Sequence, residues 1–131
     1  MKFKIYQFDV GMLAALSDLS SKILFKDNEL FMEFKGALTE NFVAQELRRQ
    51  YFEDIYYWTS SGEAEVDFIV SAKQKIYPLE VKSGESKKKK SLVVYDNKYP
   101  SSVLSRATLR NFAFDGKIIN YPLYAIALFP F

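Results

Sequence analysis

A helix followed at once by three strand-like segments restricts this chain more than any other feature of its sequence. From about Gly36 to Phe52 the residues Val43, Ala44, Leu47 and Tyr51 fall on one apolar stripe of a helix turning roughly 100° per residue. Ile55 to Trp58, Ala64 to Val70 and Ile76 to Val81 come next, rich in β-branched and aromatic residues and separated by Ser-Gly and Lys-Gln-Lys turns. Three strands in succession predict a meander.

The remaining segments are shorter. Phe3 to Phe8 alternates apolar and polar as a half-buried strand does, and Asp9 stands where an N-cap belongs, ahead of a short helix over Gly11 to Leu16. A helix is predicted from about Lys87 to Lys98, stopped by Tyr99-Pro100, and a strand over Ser102 to Thr108. The apolar tail from Ile118 to Phe131 contains Pro122 and Pro130, and its Leu123 to Phe129 stretch reads equally as strand or helix. At 131 residues with 49% hydrophobic content the chain fits one domain with one core.

Composition removes whole classes of chemistry. With neither Cys nor His, the chain has no thiol nucleophile, no Ser-His dyad and none of the thiolate or imidazole ligands that zinc prefers. Carboxylate and lysine chemistry remains, and a metal site built from oxygen ligands suits Mg²⁺ or Mn²⁺. No phosphate-loop motif is present, so no nucleotide is expected to bind this segment. No apolar run reaches the roughly 18 residues of a membrane span, and the start MKFKIYQFDV lacks the apolar core of a signal peptide, so a cytoplasmic protein without a membrane partner is expected. The net charge of +2 gives no global field, so any basic surface must be local.

Glu40 lies three, four, seven and eleven positions before the four stripe residues, which turns its carboxylate toward the core side. A desolvated charge there needs a partner or a metal, although a carboxylate early in a helix also favours the dipole and reaches solvent past a frayed end. In the run 65–70 the two-residue strand period puts Glu65 and Asp67 on one face and Val66 and Phe68 on the other, and in 79–82 it puts Glu80 and Lys82 together opposite Val81. If the two strands pair, three carboxylates and an ammonium share one face. Repulsion among them is relieved by a divalent cation, while the same spacing also suits a solvated face with cross-strand Glu/Lys pairs.

Such a cluster suits phosphodiester hydrolysis. Asp67 and Glu80 would hold the metal with the Val81 carbonyl, Lys82 would orient water or offset charge at the phosphate, Glu40 would add a supporting carboxylate, and Glu65 would stand behind them.

Glu40, Asp67, Glu80 and Lys82 together resemble the PD-(D/E)XK nuclease superfamily. The segments 5–13, 36–47, 56–58, 64–70 and 79–84 also resemble, in order, the domain-of-unknown-function family 4143, a prokaryotic domain usually found at the C-terminal end of an AAA-type ATPase. The resemblance implies a restriction-endonuclease-like α/β core with a mixed central sheet flanked by helices. It implies that residues 1–131 form a nuclease-like domain, a fragment or C-terminal part of a larger ATPase-containing protein, with the ATPase in cis or in trans and self-association left open. DNA is the expected partner. The alternative is a catalytically silent nuclease-fold module that binds DNA or protein and gives the ATPase its target.

Lys87, Lys88, Lys89 and Lys90 stand at a predicted helix start, where the dipole disfavours cations, and a DNA phosphate backbone is one reason to place them there. A solvated polar face is the other. Tyr56, Tyr57, Trp58, Phe112 and Phe114 lie in apolar stretches and are expected in the core rather than stacked on bases.

Overall fold

A computed structural model of the chain describes residues 2–17, 29–50, 54–84, 90–100 and 103–130. Helix α1 (Val10–Leu16) opens on Asp9, whose carboxylate accepts from the Met12 N–H at 2.9 Å, as the N-cap reading predicts. Helix α2 (Glu29–Gln50) begins earlier than the stripe alone suggests, because the residues ahead of Gly36 continue it. Strands β1 (Tyr56–Thr59), β2 (Glu65–Ala72) and β3 (Lys75–Val81) form the predicted antiparallel meander. After β3 the chain crosses through α3 (Lys90–Lys98) to β4 (Leu104–Thr108), which pairs parallel with β3. Strands β5 (Ala113–Asp115) and β6 (Ile118–Pro122) complete the order β1-β2-β3-β4-β6-β5, and Leu123–Leu128 is a 3₁₀ helix. The protein is thus α/β with a mixed six-stranded sheet flanked by helices.

The two faces of the sheet are covered by different helices. Val43, Ala44 and Leu47 of α2 pack with Phe68, Val70, Tyr77, Leu79, Val81, Tyr121, Ile126 and Phe129. On the other face Leu92 and Tyr95 of α3 pack with Val66, Leu104 and Ile118, and Trp58 meets Tyr95 edge-on at 5.3 Å. Val66 and Phe68 therefore lie on opposite faces, contrary to the strand period. The cause is a bulge: Tyr56 and Trp58 of β1 register with Ile69 and Val66, so one extra residue of β2 is inserted between them.

Other expectations are corrected at the edges. Phe3 to Phe8 is not a strand, since residues 2–7 join no ladder. Phe112 and Phe114, at the β5 edge, are exposed and pack on each other at 5.3 Å, and Tyr56 on the opposite edge strand is exposed too. Among the described residues no helix is long and apolar enough to cross a membrane.

The β2–β3 hairpin turns through Lys73 and Gln74 at φ 50° and 61°, the left-handed conformation that a two-residue hairpin demands and that non-glycine residues resist. Gln74→Gly should raise stability by about 0.5–1 kcal/mol, less than the full relief because glycine also loosens the unfolded chain. A urea midpoint that falls instead would mean that Gln74 is held by contacts worth more than its backbone strain.

Candidate functional site

Two elements bring three acidic groups together on the α2 face. The apolar stripe of α2 seats Val43, Ala44 and Leu47 on the sheet, which directs Glu40, on the same stripe, at the start of β2. The bulge in β2 delivers Asp67 to that face beside Phe68. Carboxylate oxygens of Glu40, Glu65 and Asp67 all lie within 4.8 Å of one another. A regular ladder extending the Phe68–Leu79 register would have set Asp67 opposite Glu80 instead. The Asp67 Oδ2 now accepts from the Val81 N–H at 2.7 Å, a backbone donor that the interrupted ladder leaves available.

Into this triad reaches an ammonium that spacing does not suggest. Lys4 Nζ donates to Glu40 Oε1 at 2.8 Å, pairs with Glu65, and lies 3.6 Å from Asp67 Oδ1 and 5.3 Å from the centre of the Tyr57 ring. The Tyr6 hydroxyl donates to the same Glu40 oxygen at 2.5 Å. No local pattern links residue 4 to residue 40. Lys4 and Tyr6 do share one side of the alternating segment, but alternation alone assigns that side to a strand.

Electrostatics follow from three carboxylates against one nearby ammonium. Burial pushes the Asp67 carboxyl up to about 6, with the Glu40 charge adding to it and the Val81 N–H, Lys4 and Lys82 working against it. Burial of Lys4 opposes its charge, but hydrogen bonds to Glu40 and Glu65 outweigh this and hold the ammonium protonated beyond its ordinary range. Tyr6 is raised by burial and by its bond to Glu40, so its hydroxyl stays a donor.

Glu80 and Lys82, expected beside Asp67, are not in the triad. Leu79 and Val81 pack toward α2, so Glu80 between them projects to the α3 face, and Lys82 follows it with Nζ 3.1 Å from Glu80 Oε1. Glu80 is 2% exposed, its Oε2 has no hydrogen-bond partner, and its register partner across the parallel pair is the equally buried Arg106. Lys82 is close enough to Asp67 to ease its ionisation. Lys90 is exposed at the start of α3, and Lys87, Lys88 and Lys89 lie outside the described residues. Glu46, off the apolar stripe by sequence, is buried and paired with Arg49 at 2.9 Å.

Two cavities flank the triad. One of about 1000 Å³ is bordered by Asp67, Tyr57 and the cations Lys2, Arg48 and Arg49. A smaller one of about 490 Å³ is bordered by Glu40, Glu65 and Asn41, and Lys4, Tyr6 and Gln7 line both.

The oxygen-only donor set fits a hard divalent cation, and an ammonium already bonded among these oxygens marks the place as one that favours positive charge. A profile of the domain of unknown function DUF4143 matches residues 35–126, a stretch that holds Glu40, Glu65, Asp67, Glu80 and Lys82. No curated protein and no solved structure matches the chain.

Proposed function

We propose that this chain, which belongs to the DUF4143 family of unknown function, is a divalent-metal-dependent nuclease domain of restriction-endonuclease-like fold that acts on DNA in association with an AAA-type ATPase. The observation that carries the reading is the convergence of Glu40, Glu65 and Asp67 between two cavities, the larger of which has Asp67 on its wall and Lys2, Arg48 and Arg49 on its border. In this reading those three carboxylates hold Mg²⁺ or Mn²⁺, with Glu65 taking the part that spacing assigned to Glu80. The metal, when bound, supplies an acidified water and charge neutralisation at the phosphate. Arg48, Arg49 and Lys2 face the anionic strand, Tyr57 walls the cleft, and Lys82 contributes charge at Asp67 from beyond the triad.

A second reading is favoured by the placement of Glu80 outside the triad: a silent nuclease-fold module that binds DNA or protein and targets the ATPase. Incubating plasmid DNA with the protein and Mn²⁺ separates the two. Cleavage by the wild-type chain, abolished by EDTA and reduced about 100-fold in Asp67→Asn and Glu40→Gln, is the expected result. DNA retained on the protein but left uncut under all metal conditions would select the silent module.

A further inference from the structure

The extended arm, residues 2–9, lies across the acidic triad with a sidedness opposite to that of a segment packed for stability. Lys4 and Tyr6 point inward to Glu40, whereas Phe3, Ile5 and Phe8 are 69%, 79% and 93% exposed. Its backbone enters no ladder and is held by side chains of α2. The Asn41 amide accepts from the Gln7 N–H at 2.8 Å and donates to the Gln7 carbonyl at 3.3 Å, and Gln45 accepts from the Val10 N–H at 2.9 Å. Polar contacts of this kind exchange with water at small net cost, so apart from the Tyr6 ring, which packs on Phe68 at 5.7 Å, the arm is fastened rather than buried.

The place it fills is the one a metal would need. Divalent cations take carboxylate oxygens at about 2.0–2.6 Å, and among the oxygens of Glu40, Glu65 and Asp67 that space is occupied by the Lys4 ammonium and its bonds. Lys4 also cancels part of the repulsion that would draw a metal in. Because Lys4, Tyr6 and Gln7 line both cavities, the arm is the partition between them.

We propose that residues 2–9 are an autoinhibitory plug in which Lys4 stands in for the divalent cation, so that metal binding lifts the arm and joins the two cavities into one groove over the triad. This rests on the metal-centre reading above. It makes metal occupancy and an ordered arm mutually exclusive.

Calorimetric titration of Mn²⁺ into the full chain, with amide hydrogen exchange followed at Gln7 and Val10, tests it. Lys4→Met should bind Mn²⁺ about tenfold more tightly or better, having lost the competing ion pairs. Asn41→Ser keeps every carboxylate and the ammonium but loosens the arm, and should bind about threefold more tightly or better through the lower cost of lifting it. Gln45→Ala, which releases only Val10, serves the same purpose should Asn41→Ser fail to fold. In the wild-type chain, Mn²⁺ should speed exchange at Gln7 and Val10. Equal affinities in all forms, with exchange unchanged by Mn²⁺, would overturn the plug and leave the metal centre standing. Absence of Mn²⁺ binding in every form, Lys4→Met included, would overturn both. Tighter binding in Lys4→Met together with slower DNA cleavage would make Lys4 a working member of the site and reject the plug.

Discussion

Glu80→Ala is expected to lower the stability of the metal-free protein by about 1–3 kcal/mol, because it removes the partner of Lys82 and the carboxylate that neighbours the buried Arg106 across the strand pair. Arg106, its register partner, is 2% exposed, and its Nε and Nη1 have no hydrogen-bond partner. The carboxylate that Arg106 reaches at 3.9 Å belongs to Asp115, whose side chain is nearly half exposed and screened by water. Glu80 is therefore the nearest deeply buried negative group on that face by register, and Lys82 binds only one of its oxygens. Removing Glu80 takes away the carboxylate at the register position of Arg106, on the face of the sheet where Leu92, Leu104 and Ile118 pack. The double variant Glu80→Ala/Arg106→Met should cost clearly less than the sum of the single changes, because both buried charges go together. Urea unfolding in EDTA at pH 7 measures all three. A neutral or stabilising Glu80→Ala would mean that Glu80 is repelled by the other acids, as the shared-face reading of the sequence requires, and would return it to the metal site.

That contrast shows what was legible in the residues and what was not. The stripe Val43, Ala44, Leu47 located α2 and the inward direction of Glu40, since a helix of this period allows no other face to meet the sheet. Alternation within β3 also holds: Glu80 and Lys82 lie together, opposite Val81. What alternation does not transmit is the matching of faces between strands across an irregularity. The bulge between Val66 and Ile69 is written in no single residue type; it moves Asp67 from the face of Glu80 to the face of Glu40. The place of Lys4 was hidden for a different reason. Its segment alternates as a strand does, but its backbone bonds go to the amides of Asn41 and Gln45, pairings separated by more than thirty positions that no local period encodes. Likewise Phe112 and Phe114 read as core by composition and end exposed because β5 is a sheet edge.

Asp67→Asn should have the opposite sign, stabilising the metal-free protein by on the order of 2–3 kcal/mol at pH 7, the free energy of a carboxyl raised from 3.8 to about 6. The sign follows from which state holds the proton more tightly. In the folded chain burial, then the Glu40 charge, favour the protonated form, so between pH 4 and pH 6 the native state binds more protons than the unfolded one. Asp67 is therefore least costly below its unfolded value near 4, and wild-type stability is lost as the pH rises through about 6. Asparagine does not titrate and still offers an oxygen to the Val81 N–H, so its advantage should be near zero at pH 4, grow across this window and level off above pH 7. Loss of the attraction to Lys4 at 3.6 Å trims the gain without reversing it, since that ammonium keeps Glu40 and Glu65. Saturating Mn²⁺ should close the gap from the other side: a ligand at 100 times its Kd adds about 2.7 kcal/mol to the form that binds it, and Asp67→Asn has given up a ligand oxygen's charge. Thermal unfolding at pH 4, 5, 6, 7 and 8, with EDTA and with Mn²⁺, reads every arm of this. A uniform destabilisation of Asp67→Asn at all pH values would mean that Asp67 is a satisfied structural partner of Val81 and Lys4, and the proposed metal centre would lose the electrostatic tension that a cation is needed to relieve.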